Sequence, residues 1–110
     1  MHTADNQWLK LANHPDDFNF GANNIAVIEI GGRPICVAKF DNAIFAFTAT
    51  CPHAGGYLGA ACINEKGHIV CPVHHYKFNI RNGHNVSGEG YRLKYWPVVI
   101  RKDGVFVRWK

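Results

Sequence analysis

The apolar positions of this chain fall in short runs separated by turn residues, a spacing that predicts strands rather than helices. Ile25 to Ile30, Arg33 to Phe40 and Ala43 to Thr48 are rich in Ile, Val and Phe, and Gly31-Gly32 and Asp41-Asn42 divide them. Such dipeptides supply the backbone of tight hairpins, so the three runs are expected to form a meander. Before it, Gln7 to Ala12 predicts a first strand, and His14-Pro15-Asp16-Asp17 a turn or short helical start. Further on, Ala61-Cys62-Ile63 and His68-Ile69-Val70 flank Asn64-Glu65-Lys66-Gly67 as a hairpin. Tyr76 to Ile80 and His84 to Val86 flank Asn82-Gly83 as another, and Ser87-Gly88-Glu89-Gly90 follows as a flexible connection. The last pair, Tyr95 to Arg101 and Val105 to Trp109 around Asp103-Gly104, alternates most cleanly: Val105, Val107 and Trp109 against Phe106 and Arg108. With no convincing helical period, the predicted class is all-β.

Composition narrows the picture little. At 110 residues, 47% hydrophobic and 18% charged, residues 1–110 are expected to form one globular domain. No apolar run approaches the length of a membrane span, and Met1 to Asp5 lacks a basic then apolar leader, so a cytoplasmic protein without a membrane partner is expected. The net charge of +4 is uneven: residues 1–50 carry three basic and five acidic side chains, residues 51–110 nine and three. A basic C-terminal half can steer association with an acidic redox partner. Arg92, Lys94, Arg101, Lys102, Arg108 and Lys110 are dispersed among strand residues, which favours solvated strand faces and gives no nucleic-acid platform.

The chemistry lies in two short clusters. Cys51-Pro52-His53 is followed, after the seventeen residues 54–70, by Cys71-Pro72-Val73-His74. Two thiolates and two imidazoles select zinc, copper or an iron–sulfur centre and disfavour magnesium and calcium. The proline after each cysteine stiffens the turn that presents the ligands. Zinc fingers usually group ligands of one kind. Here each loop supplies one cysteine and one histidine, which suits a two-metal rhomb.

The pattern C-x-H, seventeen residues, C-x-x-H resembles the Rieske [2Fe–2S] signature, in which two histidines replace two cysteines on one iron. The flanks Ala54-Gly55-Gly56 and Tyr76-Lys77-Phe78 extend the likeness, which covers roughly residues 7–109 and is specific over 51–78. It implies one [2Fe–2S] cluster per chain, with Cys51 and Cys71 on one iron and His53 and His74 on the other. It also implies stacked antiparallel sheets with a small cluster-binding subdomain at about residues 49–80. High-potential members carry an extra cysteine in each loop, forming a disulfide, and a serine near the cluster. Gly56, Val73 and Tyr76 stand at those positions here, so the loops are unstapled and a potential near about −150 mV rather than about +300 mV is expected. Glycines at Gly88 and Gly90 replace the proline-rich loop that covers the cluster in many members.

Stand-alone, disulfide-free members imply a one-electron carrier that passes electrons from a flavin reductase to a terminal oxygenase and is no enzyme by itself. The alternatives are the small subunit of an NAD(P)H-dependent nitrite reductase, partnered by its large subunit, and a structural zinc module. The other tempting residues have plainer readings. Cys36 and Cys62 are expected as small buried strand residues. His75 is expected to face solvent beside the ligand, and His2, His14, His68 and His84 to lie at the surface. Trp8, Trp96 and Trp109 are expected to fill the sheet interface.

Overall fold

The computed structural model describes residues 7–52, 55–73, 75–88 and 90–109. Both central residues of each predicted meander turn have positive φ, at +59° and +80° for Gly31 and Gly32 and +54° and +61° for Asp41 and Asn42. That is the backbone of the tight hairpin turn whose twist matches its flanking strands. After β1 (Trp8–Ala12), it joins β2 (Ile25–Ile30), β3 (Arg33–Phe40) and β4 (Ala43–Thr48) in unbroken antiparallel register, from Ile25 opposite Ala38 to Ile35 opposite Thr48. A second three-stranded sheet follows from β5 (Cys62–Ile63), β6 (His68–Val70) and β7 (Lys77–Asn79). The chain ends with β8 (Tyr95–Trp96), β9 (Val98–Arg101) and β10 (Gly104–Arg108). The sheet orders are β1-β10-β9, β2-β3-β4-β8 and β5-β6-β7, all antiparallel.

The sheet β2-β3-β4-β8 is covered on both faces, and β3 shows it. Ile35, Cys36, Val37 and Ala38 are all fully buried. Successive strand side chains point to opposite faces. Cys36 and Ala38, with Phe47 of β4 on the same face, pack against Ile69, Cys71 and Phe78 of the small subdomain. Val37 packs with Val105, and Ile35 with Val107 and Trp96, against the sheet β1-β10-β9. A strand covered on both faces needs no polar alternation, which is why β3 reads as a continuous apolar run.

Two predicted strands differ from the observed ones. Tyr95 to Arg101 is not one strand, because Pro97 has no N–H to continue a ladder. Tyr95 and Trp96 pair with Phe47 and Ala46 of β4, the chain then changes sheets, and Val98–Arg101 pairs with β10. The Pro97 carbonyl accepts from the Arg108 amide at 2.9 Å, marking the crossing. His84 to Val86 forms no full strand: Asn85 bridges Phe78, flanked by the Asn79 amide donating to the His84 carbonyl at 2.8 Å and the Val86 amide to the Lys77 carbonyl at 2.9 Å. Side chains end the ladder there: the Lys77 amide donates to Ser87 Oγ at 3.0 Å, and the Ser87 amide turns back to Asn85 Oδ1 at 2.8 Å.

Two single 3₁₀ turns complete the fold. Pro15–Asp17 is the expected short helical start, with Pro15 in its first turn and the Asp16 amide donating to His14 Nδ1 at 3.1 Å. Leu58–Ala60 has no sequence precedent in strand periodicity, and it exists because Leu58 is fully buried in the core beside Cys51. Asn23 clasps this turn from the start of β2, its Nδ2 donating to the carbonyls of Gly59 at 3.0 Å and Ala61 at 2.8 Å. Among the described residues no helix is long and apolar enough to cross a membrane.

Candidate metal centre

The two cysteine loops share one backbone plan, offset by twenty residues. Thr50 bridges Tyr57 at the base of the first, as Val70 pairs with Lys77 at the base of the second. The Cys51 amide donates to the Gly56 carbonyl and the Cys71 amide to the Tyr76 carbonyl, both at 2.8 Å. Gly55 in the first loop and His75 in the second both take left-handed backbone, with φ of +70° and +58°. Each hairpin thus turns its cysteine inward from a strand end: β4 leads to Cys51, β6 to Cys71.

Cys51 and Cys71 are both buried, and their side chains are in hydrogen-bond contact. Burial pushes the Cys71 thiol up from its ordinary pKa, and the adjacent Cys51 pushes it further, while a hydrogen bond from the Val73 backbone pulls the other way. Two thiols in a dry pocket resist becoming adjacent thiolates unless a cation sits with them. The Val73 amide is the kind of donor that stabilises a charged sulfur. Gly56 leaves the room: a Cβ there would stand 2.9 Å from Cys71 Sγ and 3.0 Å from Val73 Cγ2. Two soft donors side by side in a cradle open only to glycine fit a metal centre of the iron–sulfur or zinc kind.

The other expected ligands, His53 and His74, lie outside the described residues, as do Ala54, Glu89 and His2. His75 is exposed, as expected of a neighbour rather than a ligand, and so are His14 and His84, while His68 is half-buried. Cys36 is the expected buried strand thiol, its pKa pushed up to about 12 by desolvation. Cys62 departs from expectation: it lies in β5 but is exposed, because a two-residue edge strand has one side open. Trp96 and Trp109 do pack at the sheet interface, stacked 4.9 Å apart. Trp8 does not, and instead lies half-buried under the Arg101 guanidinium, 5.4 Å from its ring. Motif spacing found both cysteines and the small residues beside them. It did not find the Asn23 clasp or the Val73 hydrogen bond, for which the sequence carries no signal.

The family model described as the Rieske [2Fe–2S] domain matches residues 7–97. The chain belongs to this family. The family implies a Rieske-type [2Fe–2S] cluster, and the zinc-module reading falls away. The ferredoxin component of the alkene monooxygenase system of Xanthobacter autotrophicus is 21% identical over 81 residues, covering 74% of this Rieske chain and 66%, just under two thirds, of that protein. Among solved structures, the ferredoxin of carbazole 1,9a-dioxygenase from Nocardioides aromaticivorans IC177 is similar with a TM-score of 0.77 at 20% identity, over 94% of this chain and 99% of that one. A complex of reduced oxygenase and oxidized ferredoxin in carbazole 1,9a-dioxygenase gives 0.75 at 24% identity, over 94% of each chain. A protein assigned as a nitrite reductase NADPH small subunit gives 0.74 at 20%, over 91% and 96%. These likenesses show a shared fold: stacked antiparallel sheets with a small subdomain carrying the cluster loops.

Proposed function

We propose that this Rieske domain is a one-electron carrier that takes electrons from a flavin reductase and delivers them to a terminal oxygenase. The carrying observation is the pair Cys51 and Cys71, buried and in contact at the bases of two matched loops. When bound, the cluster supplies a one-electron couple; the chain supplies the enclosure. In this reading Cys51 and Cys71 hold one iron, and His53 and His74 hold the other from the same two loops. The Val73 hydrogen bond and the burial of both sulfurs fix the sulfur side in a dry environment.

The names of the similar proteins support the assignment: a ferredoxin component of a monooxygenase system and a ferredoxin solved with its oxygenase. A cytoplasmic location belongs to the same reading, supported by the free thiols at Cys36 and Cys62. Iron and acid-labile sulfide analysis tests the cluster, with about two of each per chain expected. Transfer of electrons from a reductase to an oxygenase only when the chain is present tests the role. The nitrite reductase small-subunit alternative rests on the similarly close fold match. Stable copurification with a nitrite reductase large subunit, rather than transient contact, would favour it.

A further inference from the structure

Two tryptophans and two cations meet at a cleft that the cluster does not use. Trp96 and Trp109 stack with ring centroids 4.9 Å apart and 29° between their planes. The Lys94 ammonium lies 5.7 Å from the Trp96 ring, and the Arg33 guanidinium 6.0 Å from that of Trp109. With Ile30 and Gly31 these four line a cleft of about 350 Å³. Two other exposed cations have acidic neighbours: Lys39 has Asp16 at 3.8 Å, and Arg81 has Asp41 at 3.5 Å. Arg33 and Lys94, like the remaining described lysines and arginines, have none among the described residues, but here two such cations share one cleft over a tryptophan stack.

The cleft also lies at the end of the sheet nearest the first cysteine loop. Arg33 opens β3, and Ile35, two residues on, stands opposite Thr48, the last residue of β4. The Lys94 carbonyl accepts from the Thr48 amide at 3.0 Å. Thr48 is three residues before Cys51, so the cleft opens at the end of the sheet from which the first ligand loop departs.

We propose that this cleft docks an acidic surface segment of the redox partner, whose carboxylates meet Arg33 and Lys94 beside the Trp96–Trp109 stack. The proposal rests on the carrier reading above and specifies the chemistry of its partner. The rings hold the two cations by cation–π attraction and limit their freedom, so less entropy is lost when carboxylates arrive. Two unpaired cations at a rim act mainly on encounter rate and orientation, which suits a transient electron-transfer complex. Docking there places the partner at the sheet end from which the first cysteine loop departs.

The test has two arms, both on the holoprotein. In the first, a hexaglutamate peptide is titrated into the oxidised protein at low salt while backbone and indole N–H resonances are followed by NMR. Shifts should centre on Arg33, Lys94, Trp96 and Trp109, and should vanish in Arg33→Gln/Lys94→Gln and at high salt. Shifts centred on Arg101 and Trp8, or no shifts, overturn the proposal. In the second, the dithionite-reduced protein is oxidised by ferricyanide, an anionic acceptor. Arg33→Glu/Lys94→Glu should slow this about tenfold relative to Arg101→Glu/Lys102→Glu, a control of equal net charge, and the gap should close at about 1 M salt. Equal rates at low salt overturn the docking site and leave the carrier reading standing, whereas a chain that accepts no electron from dithionite removes the carrier reading itself.

Discussion

Gly56 and Val73 face each other across the two ligand loops, with the Cβ position of Gly56 only 3.4 Å from Cβ of Val73. That is slightly shorter than the roughly 3.5–4.5 Å Cβ separation of a disulfide, a gap a small outward shift closes. These are the two positions at which high-potential Rieske proteins carry their bridging cysteines, so the fold keeps the site of the staple after its chemistry has gone. Gly56→Cys/Val73→Cys is therefore expected to close a disulfide on oxidation. A bridge spanning about seventeen residues should raise stability by about 3 kcal/mol. Denaturant unfolding of the oxidised and reduced forms measures it, and identical midpoints would contradict the apposition.

Gly56→Ala alone should behave in the opposite way. Its Cβ would meet Cys71 Sγ at 2.9 Å and Val73 Cγ2 at 3.0 Å, and a sulfur held by iron cannot retreat. In the cysteine pair the valine methyls are gone and the new Cβ has room to shift. Overpacking of this kind costs about 1–3 kcal/mol, and here it falls on the holo form. Iron per chain in Gly56→Ala should fall well below that of the parent. Full loading would show that the cradle is looser than it is drawn.

His75 takes the left-handed backbone that Gly55 takes in the first loop. A side chain there costs roughly 1–2 kcal/mol, and a β-branched one most of all. His75→Gly should be neutral or stabilising by about 0.5 kcal/mol, because part of the gain is returned to the more flexible unfolded chain. His75→Val should lose about 1–2 kcal/mol. Neither should change the visible or EPR spectrum of the cluster, whereas His74→Ala should abolish both. A spectrum that survives His74→Ala and fails in His75→Ala would move the ligand by one residue.

Cys36 and Cys62 should separate in thiol chemistry. Cys36 is buried with its pKa pushed up to about 12, and Cys62 is exposed. At pH 8 the thiolate fraction of Cys36 is about a thousandfold below that of a thiol at its ordinary value, so an alkylating reagent should mark Cys62 first in the folded holoprotein. The same shift couples to stability at high pH. Below pH 9.0 the Cys36 thiol is protonated in both states and its full contribution is present. Between 9.0 and about 12 the unfolded chain releases that proton and the folded chain does not, so stability falls by about 1.4 kcal/mol per pH unit. The stability of the parent minus that of Cys36→Ala should decline across this window; a constant difference would refute it.

Much of this architecture is written in local sequence. The meander was legible because Gly31-Gly32 and Asp41-Asn42 are residues that accept positive φ at both central turn positions. The pairing of Cys51 with Cys71 was legible because spacing and residue type coincide. Other features depend on contacts distant in sequence. Pro97 marks a possible strand break, but only the presence of two sheets makes it the point where the chain crosses between them. Leu58 lies among polar and small neighbours with no period, and it becomes a core residue through Ala49 and Ala61. Lys94 and Arg33 are sixty-one residues apart, and only the folded sheet makes them neighbours at one cleft.

Asn23 is the clearest such case, and it can be tested. Its Nδ2 holds the carbonyls of Gly59 and Ala61, and its Oδ1 accepts from the Ile25 amide at 3.2 Å. One side chain therefore ties the start of β2 to the turn that follows the first ligand loop. Asn23→Ala removes all three bonds and leaves the buried Ala61 without this donor, at a cost of about 2 kcal/mol. Because the tie is local to the subdomain, the loss should appear as faster amide exchange over residues 58–61 before it appears in the core of β3. Asn23→Asp keeps the acceptor for Ile25 but turns carboxylate oxygen toward two carbonyls, so it should be at least as damaging as alanine near neutral pH. Unchanged exchange at 58–61 in both variants would show that burial of Leu58 alone holds the turn against the sheet.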